Sequence, residues 1–250
     1  MKYALVFSFL FCFSQSFSQS VFYLPVGFGF SHYQVKDEYN SALRYRGLVK
    51  NIHLGAERYG DYWSQYNFAY HFGGVKSGAK HPRVANLIRG SGTSTHLFNF
   101  RSDNEIDFFI GTTLKIQFGT RNSGPLFSFD GAGTLSITVG ATYNNPSREF
   151  DNRWFYDGNV SLPILGWGVR PRFASLTYLG DLPPLKKPTL SFLFFPKHFD
   201  LDARFNANWD MGNGNLLRAS YRWWFYDSKY VHRVRAMENG FDFSLLTRLN

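Results

Sequence analysis

Cysteine is nearly missing: Cys12 is the single one in 250 residues, and it falls in an N-terminal segment with the features of a leader. With that segment removed, the chain can form neither an internal disulfide nor a thiolate site. Long apolar runs are missing too. Beyond the N-terminus no uncharged stretch approaches the roughly 18 residues of a membrane-spanning helix, and mean hydropathy is −0.27, which excludes a helical membrane protein. Charged residues are only 18% of the chain, below the usual quarter. Neither a Gly-x-Ser-x-Gly elbow nor a His-Glu-x-x-His motif occurs, so two common hydrolase signatures are absent. No internal repeat, low-complexity tract or second domain is visible. What abounds is aromatic: 28 Phe, 15 Tyr and 6 Trp, 20% of all residues, a composition suited to pleated surfaces and membrane interfaces.

Met1 and Lys2 precede the apolar run Tyr3 to Phe13, which turns polar at Ser14, Gln15 and Ser16. This order of charged, apolar and small-residue regions predicts a cleaved signal peptide over residues 1–18, with the exported domain at 19–250. The bulky Phe11 before Cys12 argues against lipoprotein processing.

The exported part alternates. Ile106, Phe108, Ile110, Thr112, Leu114, Ile116 and Phe118 oppose Asp107, Phe109, Gly111, Thr113, Lys115 and Gln117. Phe199 to Trp209, Leu217 to Phe225 and Phe241 to Leu249 repeat the pattern, with Asp200, Asp202, Arg204, Arg218, Arg222, Asp242 and Arg248 on the other face. Soluble strands usually run about 5 to 6 residues, whereas these keep phase for about 10, the length a tilted membrane strand needs. Aromatics gather near segment ends, as in an interfacial girdle. The expectation is an all-β fold: a closed antiparallel transmembrane β-barrel of about 12 strands, with 10 as the fallback. A secreted, soluble β-sandwich is the rival. Closure follows from the solvent, because hydrocarbon offers no partner to an unpaired strand edge.

Short connections at Gly60-Asp61, Ser102 to Glu105 and Asp210 to Asn215 alternate with longer ones expected at Ser31 to Arg46, Gly73 to Gly92, Gly119 to Gly131 and Asp227 to Asn239. This is the periplasmic-turn and extracellular-loop rhythm of outer-membrane barrels. Between Asn144 and His198 Pro163, Pro171, Pro183, Pro184, Pro188 and Pro196 break it, so part of that stretch is read as loop, rim or inward fold.

The formal charge is +9, which raises nucleic acid as a partner. The cations form no continuous patch or recognition helix, and nucleic acid is not expected. Arg44, Arg46, Lys76, Lys80, Lys186 and Lys187 instead suit anionic headgroups, so outer-membrane lipids and lipopolysaccharide are the expected partners, together with the outer-membrane insertion machinery. The residues expected to line the lumen are Glu57, Arg101, Asp107, Lys115, Asp200, Asp202, Arg204, Arg218, Arg222, Asp242 and Arg248. Their mixed signs favour a hydrogen-bonded filling. The alternative is a narrow path for a small anionic solute, lined by the arginines.

An outer-membrane lipid-modifying hydrolase or acyltransferase is a further alternative, with His32 beside Ser31, His53 four residues before Glu57, and His198 two before Asp200 as its candidates. His71, His81 and His96 show no metal-ligand spacing, and no catalytic residue, metal or cofactor is assigned.

The run Leu54-Gly55-Ala56-Glu57, the strand Trp63-Ser64-Gln65-Tyr66-Asn67-Phe68-Ala69-Tyr70 and the segment Pro163-Ile164-Leu165-Gly166-Trp167 resemble an outer-membrane barrel family of the Bacteroidota, a domain of unknown function. The resemblance spans most of residues 19–250. It implies an outer-membrane location in a Gram-negative bacterium and carries over no catalytic residue. One departure is the end of the chain, Leu249-Asn250, where such barrels commonly place an aromatic.

Overall fold

A computed structural model describes residues 20–37, 44–78, 84–103, 105–123, 126–146, 153–170, 189–194, 197–229 and 233–249. The predicted leader lies outside them, as do Lys80, His81, Lys186 and Lys187. Among the described residues every regular element is a strand: β1 (Val21–Asp37), β2 (Arg44–Tyr59), β3 (Tyr62–Ser77), β4 (Val84–Asp103), β5 (Ile106–Ser123), β6 (Leu126–Tyr143), β7 (Trp154–Arg170), β8 (Thr189–Phe194), β9 (His198–Asp210), β10 (Leu216–Lys229) and β11 (Arg233–Arg248).

Consecutive strands pair antiparallel from β1 to β7, β9 continues from β7 to β10 and β11, and β11 closes on β1 with Phe28 opposite Phe243. The wall therefore has ten staves, the fallback number, rather than twelve. The lost pair is explained by strand length. At 13 to 20 residues the staves are longer than the membrane segments used for the count, so fewer of them consume the chain. β8 adds no stave. It pairs with β7 from Leu165 to Arg170, while β9 pairs with β7 from Trp154 to Ser161, so β8 prolongs the edge that β9 begins. Near the changeover the β6–β7 register skips Ile164, passing from Leu135↔Leu165 to Ser136↔Pro163. A bulge accommodates a residue that cannot donate to the ladder. Pro163 thus lies within a strand, and Pro171, Pro183, Pro184, Pro188 and Pro196 fall outside the described residues.

Across the middle of the wall the outward face is apolar and the inward face polar. Phe28, Ile52, Phe68, Ile110, Phe205 and Phe243 are exposed, while Asn51, Thr113, Thr138, Asn206, Ser220 and Asp242 are buried. A sandwich core requires the reverse, and the outer belt requires lipid. Toward the long-connection end the polarity inverts. On β1, Leu24, Val26, Phe28 and Phe30 face out, but beyond them His32 faces out while Tyr33 and Val35 are buried. On β3 the outward Phe68, Tyr70 and Phe72 give way to exposed Lys76 beside buried Val75. Above the belt the wall faces water, so its apolar side turns inward as in a soluble barrel.

This collar corrects the loop expectation. Ser31 to Asp37 and Arg44 to Arg46 are ladder, paired Lys36↔Arg44 and Gln34↔Arg46, as are Gly73–Ser77 with Val84–Gly92 and Asp227–Lys229 with Arg233–Asn239. The membrane pattern ends there, but the strands do not.

Candidate functional site: the barrel interior

Alternation carries one side chain in two from every stave into the interior, where they fill three layers. At the end where β1 begins and β11 ends, Val21, Tyr23, Tyr59, Trp63, Leu97, Phe109, Phe155, Leu216 and Leu246 form an apolar floor. Tyr59 stacks on Trp63 at 5.7 Å between ring centres and meets Phe155 edge-on at 5.4 Å. At the collar a second apolar layer contains Tyr33, Val35, Val49, Val75, Leu87, Trp224, Tyr226 and Val234.

Between them lies a polar network. Arg218 donates to both Glu57 oxygens at 2.8 Å, to the Tyr59 hydroxyl at 2.8 Å and to Asn208 Oδ1 at 2.6 Å. Asp157 lies 3.7 Å from the same guanidinium and accepts from Asn208 at 2.9 Å and from Asn206. Further up, Lys115 Nζ bridges Asp200 and Asp202 at 3.1 and 3.2 Å, and Arg222 meets Asp202 at 2.7 Å. A third cluster joins Arg89 and His71 to Glu238, which also accepts from Ser31 Oγ at 2.7 Å. Arg89 lies 4.8 Å over the Trp224 ring and Lys115 4.6 Å over it. A charge inside a barrel is tolerable when paired and hydrogen-bonded, and each cluster supplies both signs. Backbone approach is tuned to the network: a Cβ on Gly29 would stand 1.9 Å from Asp242 Oδ1, so only glycine leaves room for the carboxylate that receives Asn51 Nδ2 at 2.8 Å.

Of the eleven residues singled out from sequence, Glu57, Asp107, Lys115, Asp200, Arg218 and Asp242 are buried, and Asp202, Arg204 and Arg222 are partly so. Asp107 accepts from Asn145 at 3.0 Å near the floor. Arg101 and Arg248 are exposed. Arg101 follows a bulge that shifts the β4–β5 register between Asn99 and Arg101, which ends the alternation on which its inward placement rested, and it sits 3.7 Å from exposed Asp103. Arg248 lies at the last paired position of β11, opposite Tyr23.

The histidine pairings do not assemble. His32 contacts Gln34 on the outside while Ser31 points inward to Glu238. His53 bonds Ser244 at 2.8 Å, and Glu57 is occupied by Arg218. His198 sits between Thr134 and Ser228, at 3.1 Å from each, with Asp200 on the same face bonded to Thr134 and Lys115. Arg89, His71 and Glu238 are not legible as interior residues in the sequence, because Arg89 and Glu238 lie in segments whose spacing predicts loops, and Asp157 is hidden in the proline-broken stretch. The i, i+2 run Glu238, Gly240, Asp242, Ser244 was the available signal. Among the described residues no group of three or more His, Cys, Asp or Glu is arranged to hold a metal.

Among the described residues the interior leaves little space. Cavities of about 60, 40 and 10 Å³ are found at the collar, beside Lys115 and Arg222, and beside His53 and Glu238. These accommodate one or a few waters.

No family model matches the chain, and no curated protein matches it in sequence. The Bacteroidota resemblance therefore gains no support beyond the fold. Solved structures do match. The outer membrane protease OmpT from Escherichia coli superposes with a TM-score of 0.55 at 8% identity, covering 92% of this chain and 96% of that one. Neisserial surface protein A gives 0.36 at 12% identity over 89% and 95%, and the beta domain of the Bordetella autotransporter BrkA gives 0.40 at 10% over 91% and 99%. At such identities only architecture is shared, and the first of these carries that inference: the chain has the fold of an outer-membrane β-barrel.

Proposed function

We propose that this protein is an outer-membrane barrel with a filled lumen, exported by cleavage of residues 1–18, and that it serves as a membrane-embedded scaffold rather than as a conduit. The observation that carries the reading is the pair of apolar layers closing both ends of the polar network. In the floor, Tyr59, Trp63, Leu97, Phe109 and Leu246 each retain no solvent exposure; in the collar layer the same is true of Val49 and Val75. The arginines proposed to line an anion path are neutralised in place, Arg218 by Glu57 and Arg222 by Asp202. A small anionic solute would have to displace both carboxylates and then pass an aromatic layer.

The scaffold's outer contacts are with lipid. Short turns mark the periplasmic end in barrels of this class, which directs the collar outward. There Lys36, Arg44, Arg46 and Lys76 are cross-strand neighbours on the outward face of β1 to β3. They stand above the apolar belt, at the height of lipopolysaccharide phosphates, where each cation contributes about 1 kcal/mol toward an anionic surface. Delivery by the outer-membrane insertion machinery belongs to the same reading.

The test is conductance. Purified, heat-modifiable protein in planar bilayers is expected to give no steps. Regular openings that change with Arg222→Ala would overturn the filled-lumen reading. Recovery of the protein as a soluble periplasmic monomer would overturn the location.

A further inference from the structure

The lipid-facing belt of β2 to β5 contains a polar row. Arg58, Ser64, His96 and Thr112 are successive cross-strand partners, Arg58↔Ser64, Ser64↔His96 and His96↔Thr112; Ser64 is buried among its neighbours, Arg58 and His96 are partly exposed and Thr112 is exposed. Apolar side chains bound the row on both sides. Phe98, Phe100 and Ile110 lie toward the terminal end, and Tyr66, Phe68 and Leu114 toward the collar, all exposed. Polar side chains on a lipid face are costly and call for a reason.

His96 is ordered by three contacts. Its Nε2 is 2.9 Å from Ser94 Oγ, its Nδ1 meets the Tyr62 hydroxyl, and its ring stacks on Tyr62 at 5.8 Å between centres. Ser94 and His96 are i and i+2 on one strand, so both point outward, and both remain partly accessible. A hydroxyl, an imidazole within hydrogen-bond reach, and a third group fixing the imidazole is the arrangement of an activated nucleophile. The Arg58 guanidinium lies over the rings of Phe22 and Tyr62, 5.5 and 5.7 Å from their centres. Arg58 and His96 are two strands apart, about 10 Å at the usual spacing. A guanidinium is the natural partner of a phosphate. His96 pairs with Ser64, three residues past the Gly60-Asp61 turn between β2 and β3, which places it about 8 Å above the turn at a typical strand tilt. That is the depth at which headgroups give way to acyl chains.

We infer that Ser94, His96 and Tyr62 form a lipid-facing esterase site for glycerophospholipids of the leaflet at the terminal end, with Arg58 holding the phosphate. His96 Nε2 takes the Ser94 proton as Oγ bonds to the acyl carbonyl carbon. The ester C–O bond then breaks, and the proton passes to the departing lysophospholipid oxygen. Water, activated by the same nitrogen, cleaves the acyl-serine, releasing a fatty acid and restoring the hydroxyl. Tyr62 is a positioning residue: by accepting from Nδ1–H it holds the tautomer that leaves Nε2 free to accept. None of these groups belongs to the interior network, so the site does not depend on whether the lumen is filled.

Full-length protein folded in phosphatidylethanolamine and phosphatidylglycerol vesicles is the system for the test, with fatty-acid release followed by mass spectrometry and a fluorophosphonate probe reporting on the nucleophile. The expected result is fatty-acid release and a probe adduct on Ser94. Ser94→Ala and His96→Ala are expected to lose at least about 10²-fold in rate while keeping heat-modifiable migration. Tyr62→Phe is expected to lower kcat with KM little changed, and Arg58→Ala to raise KM. Folded wild-type protein that releases no fatty acid and takes up no probe overturns the assignment, a result that needs no variant to fold. Release that persists in Ser94→Ala overturns it equally.

Discussion

Replacing Arg218 by alanine tests the polar network at its most enclosed point. The guanidinium and the Glu57 carboxylate are each 3% exposed, and Asp157 is fully enclosed. Four hydrogen bonds converge on Arg218, two of them a parallel pair to Glu57. Truncation therefore does more than delete an ion pair: it leaves two carboxylates, Glu57 and Asp157, sharing an enclosed space without a cation. Breaking a buried pair from one side costs about 3–5 kcal/mol, or about two to three and a half decades in the folding equilibrium. Removing both members with apolar residues of similar volume is often close to neutral. Because Asp157 shares the same guanidinium, the expected order of stability is wild type, close to the triple variant Glu57→Met, Asp157→Asn and Arg218→Met, then Arg218→Ala well below. The measurement is urea unfolding of protein in vesicles, read by tryptophan fluorescence and by heat-modifiable migration. A single Arg218→Ala variant unfolding within about 1 kcal/mol of wild type would refute the reasoning, since surface-like pairs cost that little.

Other expectations follow the same geometry. Phe205 is 54% exposed in the mid-belt, so Phe205→Arg is expected to destabilise the membrane-folded state by about 2–4 kcal/mol in the same titration, whereas Leu217→Phe in the belt is expected to leave it nearly unchanged. Gly29→Ala sets a methyl against Asp242 and the Phe241 carbonyl and is expected to lower the unfolding midpoint, with Gly78→Ala, which meets nothing within 4 Å, as the silent control. Trp224→Ala removes the ring that Arg89 and Lys115 overlie and is expected to cost about 3–5 kcal/mol yet to leave planar bilayers silent, because the floor around Trp63 remains. Changing Lys36, Arg44, Arg46 and Lys76 together to alanine is expected to weaken co-purification with lipopolysaccharide, measured as bound phosphate per protein, without altering heat-modifiable migration.

The fold class was legible because lipid imposes a single rule on every stave it touches. Ile106 to Phe118 and Phe199 to Trp209 could be assigned face by face, and Phe109, although apolar, was rightly set on the inward side by phase alone; it packs edge-on against Trp63 at 5.5 Å. Strand number was less legible, because it came from dividing the chain by the membrane crossing, and the strands outrun that crossing. Lys115 with Asp200, or Arg218 with Glu57, could be named as interior residues, but their partnership could not be read, since pairing across a lumen depends on closure and tilt that no local pattern encodes. Ser94 and His96 were within reach: the i, i+2 rule applied to His198 and Asp200 holds for them as well. What sets the pair apart is its face: it points to lipid, whereas His198 and Asp200 point into the barrel.

The filled interior and the inverted collar have one cause. A stave longer than the bilayer is thick meets two solvents in turn, and its outward face must change from apolar to polar where it leaves the lipid. With a period of two, that change exchanges the inward face as well, so the side chains enclosed above the belt become apolar: Tyr33, Val35, Val75, Ala85 and Leu87 follow directly upon Ser31, Asn51, His71 and Arg89. An aromatic and aliphatic plug is thus the expected consequence of a wall that continues past the membrane as ladder. A barrel of this diameter with short staves could keep a polar lumen from end to end. Shortening the collar hairpins of β1–β2, β3–β4 and β10–β11 to the belt edge would remove Tyr33, Val35, Val75, Ala85, Leu87, Val234 and Ala236 together, leaving the floor as the main apolar seal. Replacing Trp63 in that background is then expected to give conductance in planar bilayers where neither change alone does. Silence in the combined variant, with folded migration intact, would mean that the polar network itself blocks passage.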